Sequence, residues 1–97
     1  MFMRLLRIQI KADRIDEAAS LFEESVIPLC KTQKGHKGAY FLADRKTGNC
    51  IPITVWESEE AMIATERSRF FQEQVVKFMD FFTVSPIREA YEVIYKD

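Results

Sequence analysis

Residues 51–62, Ile51-Pro52-Ile53-Thr54-Val55-Trp56-Glu57-Ser58-Glu59-Glu60-Ala61-Met62, carry a β-branched apolar run that ends on a tryptophan and then changes period. Ser58 is placed to cap a helix, because its hydroxyl can accept from a backbone N–H two or three residues on. Glu59 and Glu60 fall in the first turn, where the positive end of the helix dipole favours carboxylates. The segment therefore reads as a strand running directly into a helix. It leaves Trp56 where a strand emerges from a sheet.

Working outward, residues 44–49 (Asp44-Arg45-Lys46-Thr47-Gly48-Asn49) form a polar turn of hairpin length, with glycine near its end. A strand over 38–44 precedes it and a strand over 50–57 follows. Pro52 inside the latter predicts a bulge or a locally unpaired stretch, since proline has no N–H to give to the ladder. At the start of the chain, residues 2–11 read as a strand, with Leu6, Ile8 and Ile10 on one face and Leu5, Arg7 and Gln9 on the other. Asp13 is placed to cap a helix beginning near Arg14. Its apolar stripe is Ile15, Ala18, Ala19, Phe22, Val26 and Leu29, and Pro28 should kink the helix or end it in a distorted turn. A helical stretch from Ser58 to about Phe82, broken near Arg67-Ser68, has a second stripe of Phe71, Val75, Phe78, Met79 and Phe82. A final strand is expected over Arg88 to Lys96.

The order strand, helix, strand, strand, helix, strand predicts an α+β, ferredoxin-like βαββαβ domain over 1–97, with a four-stranded antiparallel sheet and both helices on one face. Four strands then offer a second face that no helix covers. The chain has eight Phe, three Tyr and one Trp, a generous apolar content for its length, and a homodimer would bury the surplus.

Fourteen basic against fifteen acidic residues give a net charge of −1. The basic residues are scattered, which argues against nucleic-acid and anionic-membrane partners. No apolar run is long enough to span a bilayer, and charges interrupt the N-terminal segment that a signal peptide would need. A cytoplasmic protein is expected. Cys30 and Cys50 lack metal-binding or redox spacing and read as buried thiols.

The element order together with ITVWESEEAM (53–62), GAYFLADRKTGN (38–49) and REAYEVI (88–94) resembles the antibiotic biosynthesis monooxygenase-like family of dimeric α/β barrels. The resemblance implies two sheets packed face to face across a two-fold axis, with a small cavity between each sheet and its partner. It also implies oxidation of a planar phenol or hydroquinone by molecular oxygen with no cofactor, the deprotonated substrate supplying the electrons. Haem-degrading relatives carry an asparagine in the first strand and a tryptophan and a histidine on the helix after the WES-like junction. This chain has none of these, and Thr65 stands where many relatives show histidine. Haem degradation is disfavoured.

Such chemistry asks for apolar walls and a group that favours an anionic substrate. The candidate catalytic residues are Arg7, Trp56 and His36. Arg7, on the face turned from the helices, would orient a substrate oxygen, or else form an ion pair with a carboxylate such as Glu57 or Glu92. Trp56 offers a flat surface for a planar ligand, or simply packs the core. His36, the only histidine, is a candidate base or a solvated loop residue. Gln9, Tyr40, Thr54 and Tyr91 are the candidate substrate-binding residues. The reading of another class is a non-catalytic dimeric module, ligand-binding or stress-associated, that uses the same cavity.

Overall fold

Four strands, β1 (Phe2–Gln9), β2 (His36–Ala43), β3 (Asn49–Trp56) and β4 (Ile87–Glu92), form one antiparallel sheet in the computed structural model, which describes residues 1–97. Their order is β2-β3-β1-β4, the ferredoxin-like arrangement. The register pairs Arg4 with Thr54 and Ile8 with Cys50 between β1 and β3, and Leu5 with Glu89 between β1 and β4. Residues paired across strands share a face. Arg4, Leu6, Ile8, Cys50, Pro52, Thr54 and Trp56 therefore face one way, and Leu5, Arg7, Ile53, Val55, Glu89 and Tyr91 the other.

Helices cover only the first of these faces. A helix begins at α1 (Ile15–Leu21), widens into a π turn at Phe22–Val26 and ends as α2 (Ile27–Cys30). Pro28 accounts for the widening. It has no N–H and crowds the carbonyl four residues back, and Ile27 N–H reaches instead to the carbonyl of Phe22, five residues earlier. The extra residue shifts the helical phase. Leu29, expected in the apolar stripe, is 43% exposed, and Cys30 takes the buried position. Asp13 makes no cap hydrogen bond; a 3-10 turn over Ala12–Arg14 leads into α1 instead.

The second helical layer is α3 (Glu59–Arg67) and α4 (Phe70–Val76), followed by a 3-10 turn at Met79–Phe81. Ser58 caps α3 as expected, its hydroxyl accepting from Ala61 N–H at 3.1 Å. The break falls at Ser68-Arg69, where Arg69 adopts φ 68°, a left-handed conformation rare without glycine. The 3-10 turn alters the phase again, so Met79 turns outward and Phe81 packs inward.

Pro52 produces no bulge. The β1–β3 register is interrupted opposite Leu6 and Arg7, where proline offers no donor, and resumes in phase at Ile8 and Cys50. The register shift lies instead in β2, between His36 and Gly38. Strand β4 stops at Glu92, short of the expected Lys96. No helix is long and apolar enough to cross a membrane.

The uncovered sheet face carries a set of apolar side chains beside the Arg7–Glu89 ion pair. Tyr40, Leu42, Ile87 and Tyr91 are all roughly half exposed on it.

Candidate functional site

Between the sheet and the helices lies a cavity of about 60 Å³. Leu6 and Ile8 of β1, and Pro52, Thr54 and Trp56 of β3, form its floor. Phe22, Val26 and Cys30 close one side, and Thr65, Phe70, Phe71, Gln74 and Val75 close the other. The lining is mostly hydrophobic, with polar groups from Arg4, Thr54, Thr65 and Gln74. This cavity lies within the chain, on the helix side of the sheet, and not on the open face where the resemblance implies a cavity against a partner. The pleat explains the difference, because the side chains beside the helices are those of Arg4, Leu6 and Ile8.

Two predicted residues meet here. Trp56 is 2% exposed, and its Nε1 donates to Thr54 Oγ1 at 2.9 Å. The indole donor is thereby spent inside the protein. The Thr54 hydroxyl proton remains available to a ligand, since the hydroxyl is both donor and acceptor. Thr65 Oγ1 donates to the Met62 carbonyl at 2.7 Å, and Gln74 accepts from Lys77 Nζ through its amide oxygen. Burial pushes the Cys30 thiol up to about 11, Lys77 opposing it, so this wall is neutral.

The other predicted residues lie elsewhere. Arg7 projects from the open face, as its strand position implied, but it is half exposed and bound to Glu89 rather than enclosed. Tyr91 donates to the other Glu89 oxygen at 2.9 Å. The Tyr91 hydroxyl first, then Arg7, holds the Glu89 carboxyl below the usual carboxylate range. Tyr40 is on the same open face, paired with Ile53. Gln9 ends β1, where its carbonyl accepts from Thr83, and its side chain does not line the cavity. His36 stands behind the cavity wall, its ring edge-on to Trp56 at 5.3 Å. Its Nδ1 is buried without a partner. Burial, then Lys31, lowers its pKa and favours the neutral ring at pH 7. His36 instead lines an open groove between α1 and the β2 edge.

One cavity residue escaped the sequence reading. Arg4 is 9% exposed, with Nη2 donating to Glu66 at 2.6 Å and Nη1 to the Glu89 carbonyl at 3.3 Å. Its guanidinium carbon lies 5.6 Å from the Phe71 ring centroid. The period-two rule that put Leu6 and Ile8 on the helix face also puts Arg4 there, two residues earlier. Burial lowers the Arg4 pKa from the ordinary guanidinium value, Glu66 opposes that shift, and Arg88 adds to it.

Comparison with known proteins places the fold within a known family. A family model described as antibiotic biosynthesis monooxygenase matches residues 1–76. The uncharacterised Mycobacterium tuberculosis protein Rv2557 is 30% identical over 96 residues, covering 95% of this chain. The chain spans 40% of the length of that relative. Rv0793 of Mycobacterium tuberculosis superposes with a TM-score of 0.72 at 10% identity, covering 98% of this chain and 96% of its own. The ActVA-Orf6 monooxygenase of Streptomyces coelicolor, solved with nanaomycin D, gives 0.72 at 16% identity, covering 99% of this chain and 92% of its own. At such identities the structural likeness shows the shared fold alone.

Proposed function

The chain belongs to the antibiotic biosynthesis monooxygenase family, and from that premise we propose that it is a cofactor-independent monooxygenase acting on a planar aromatic or quinol-type small molecule in a homodimer. The observation that carries the reading is the wall formed by Trp56, the sole tryptophan, beside a Thr54 hydroxyl with a proton to donate. The ring would lie against Trp56, and Thr54 would hold a substrate oxygen. In the reaction, a phenolic substrate loses its hydroxyl proton and supplies four electrons to molecular oxygen. One oxygen atom enters the ring as a new carbonyl and the other leaves as water, with two hydrogens from the substrate. The protein supplies dry apolar walls and placement.

A cavity of about 60 Å³ is smaller than the several hundred Å³ of most small-ligand sites. Entry of a fused ring therefore requires the lining to open, and we place that opening at Phe70 and Phe71 of α4. Oxygen uptake with a panel of hydroquinones and naphthols tests the reading. Wild type is expected to consume oxygen, and Thr54→Val to lose roughly tenfold in rate, the worth of one hydrogen bond. No uptake above a protein-free control overturns the enzyme reading.

The homodimer is expected to form through the open face, where the half-exposed Tyr40, Leu42, Ile87 and Tyr91 would be covered. Light scattering should return twice the chain mass for wild type and one chain mass for Tyr40→Lys with Leu42→Lys. A wild type at one chain mass in micromolar solution removes the dimer.

A further inference from the structure

The backbone brings together His36 and Trp56, the only histidine and the only tryptophan of the chain. Between β2 and β3, His36 pairs with Trp56 and Gly38 with Val55. Two steps along β2 thus match one along β3, and Lys37 is the extra residue of a bulge. In a regular ladder Lys37 would stand opposite Trp56. The bulge puts His36 there instead, and bulges are a common means of re-aiming a side chain beside a site. The preceding turn is also fixed. Gly35, at φ 86°, packs so closely on α3 that a Cβ would lie 2.6 Å from that of Ala61. Its carbonyl accepts from Glu57 N–H at 2.8 Å.

The imidazole meets the indole edge-on, with ring centroids 5.3 Å apart. His36 does not itself line the cavity, and on its other side it opens to the groove between α1 and the β2 edge. Its Nδ1 is buried with no partner. A neutral ring tolerates this, because one of its nitrogens carries no proton. An imidazolium carries a proton on both and would bury an N–H with nothing to accept it, which is costly.

The surrounding charges do not compensate. Asp16, Glu23 and Lys31 face His36 across the groove, with Tyr40 further along β2. Asp16 is bound to Arg45. Glu57, at the end of β3, lies against Gly35, and Lys34 and Lys37 flank His36 in the chain. Of these Lys31 acts on the ring, and it repels a proton. A released histidine takes up its proton near pH 6.5, and the packed ring only below that. Lowering the pH through this window therefore favours release.

We propose that His36 is a positioning residue: its neutral imidazole supports Trp56 from behind, and protonation moves it into the groove and loosens the Trp56 wall. The consequence for ligands rests on the aromatic-substrate reading above, whereas the support itself needs no ligand.

One histidine and one tryptophan make the test direct. Trp56 emission of the ligand-free protein, followed from pH 8 to pH 5, should shift to the red with a midpoint below about 6.5. His36→Phe keeps an aromatic ring that cannot be charged and should show no shift. 1-Naphthol, uncharged across this range, should bind wild type about fivefold more weakly at pH 5 than at pH 8, within the tenfold per pH unit that one linked proton can supply. His36→Phe should bind it at both pH values as wild type does at pH 8. His36→Ala decides the matter if His36→Phe does not fold: it should show no shift and bind at both pH values as weakly as wild type does at pH 5. The support is overturned by a wild-type emission unmoved in this window, moved only with loss of far-UV circular dichroism, or moved equally in the His36 variants. An emission shift with unchanged naphthol affinity overturns its role in binding. If 1-naphthol does not bind wild type at pH 8, the aromatic reading falls, and the emission titration still decides the place of His36.

Discussion

Gly48→Ala should destabilise the domain by about 3 kcal/mol or more, from strain in the left-handed backbone added to overpacking. Gly48 has φ 81°, and a Cβ built there would lie 2.0 Å from the Ile10 carbonyl oxygen and 3.2 Å from its carbon. The obstacle is backbone, so no rotamer change can relieve it. The contact is also structural: Ile10 N–H donates to the Gly48 carbonyl at 3.0 Å, and Gly48 N–H donates to Asp44 at 2.9 Å. The glycine thus joins the end of β1 to the hairpin turn. In a domain of this size such a loss lowers Tm by about 12 °C or more. Gly38→Ala is the control, since nothing lies within 4 Å of its Cβ position and its φ is not left-handed. It should change stability by less than about 1 kcal/mol. Thermal unfolding of both variants checks the contrast, and equal Tm values would show that the approach at Gly48 is not rigid.

The features read well from sequence were local ones. The Ser58 cap depends on a hydroxyl and an N–H three residues away, and the hairpin depends on a polar turn ending in glycine. Strand parity was also legible: Arg7 and the apolar trio Leu6, Ile8 and Ile10 do lie on opposite faces. What parity does not reveal is where space remains between layers. Arg7 was placed on the correct face, but the hollow formed on the other, beneath Trp56 and Thr54, where Arg4 had been passed over. The same limit applies along the helices. A stripe read at a constant 3.6-residue period put Leu29 and Met79 inward, whereas one π turn and one 3-10 turn rotated each outward and brought in Cys30 and Phe81. Pro28 announced a kink or a distorted turn, and the distortion takes the form of a widened π turn.

Trp56→Ala should cost about 3–5 kcal/mol, the usual range for deleting a fully buried large aromatic side chain. Trp56 is among the most completely buried side chains of the protein. Its removal would leave Thr54 without its indole donor and His36 without the ring it packs against, and would enlarge the neighbouring hollow. Denaturant unfolding measures the loss, and added indole should restore part of it, because apolar cavities made by truncation bind small aromatic molecules. Trp56→Phe separates core from site. It keeps an aromatic ring and should lose only about 1–2 kcal/mol, through the smaller ring and the missing hydrogen bond. If Trp56 is a ligand wall, Trp56→Phe at full folding should still bind a naphthol or naphthoquinone several-fold more weakly. Were Trp56→Phe to bind such ligands as wild type does, the tryptophan would be a packing residue and the cavity would need another wall to account for aromatic recognition.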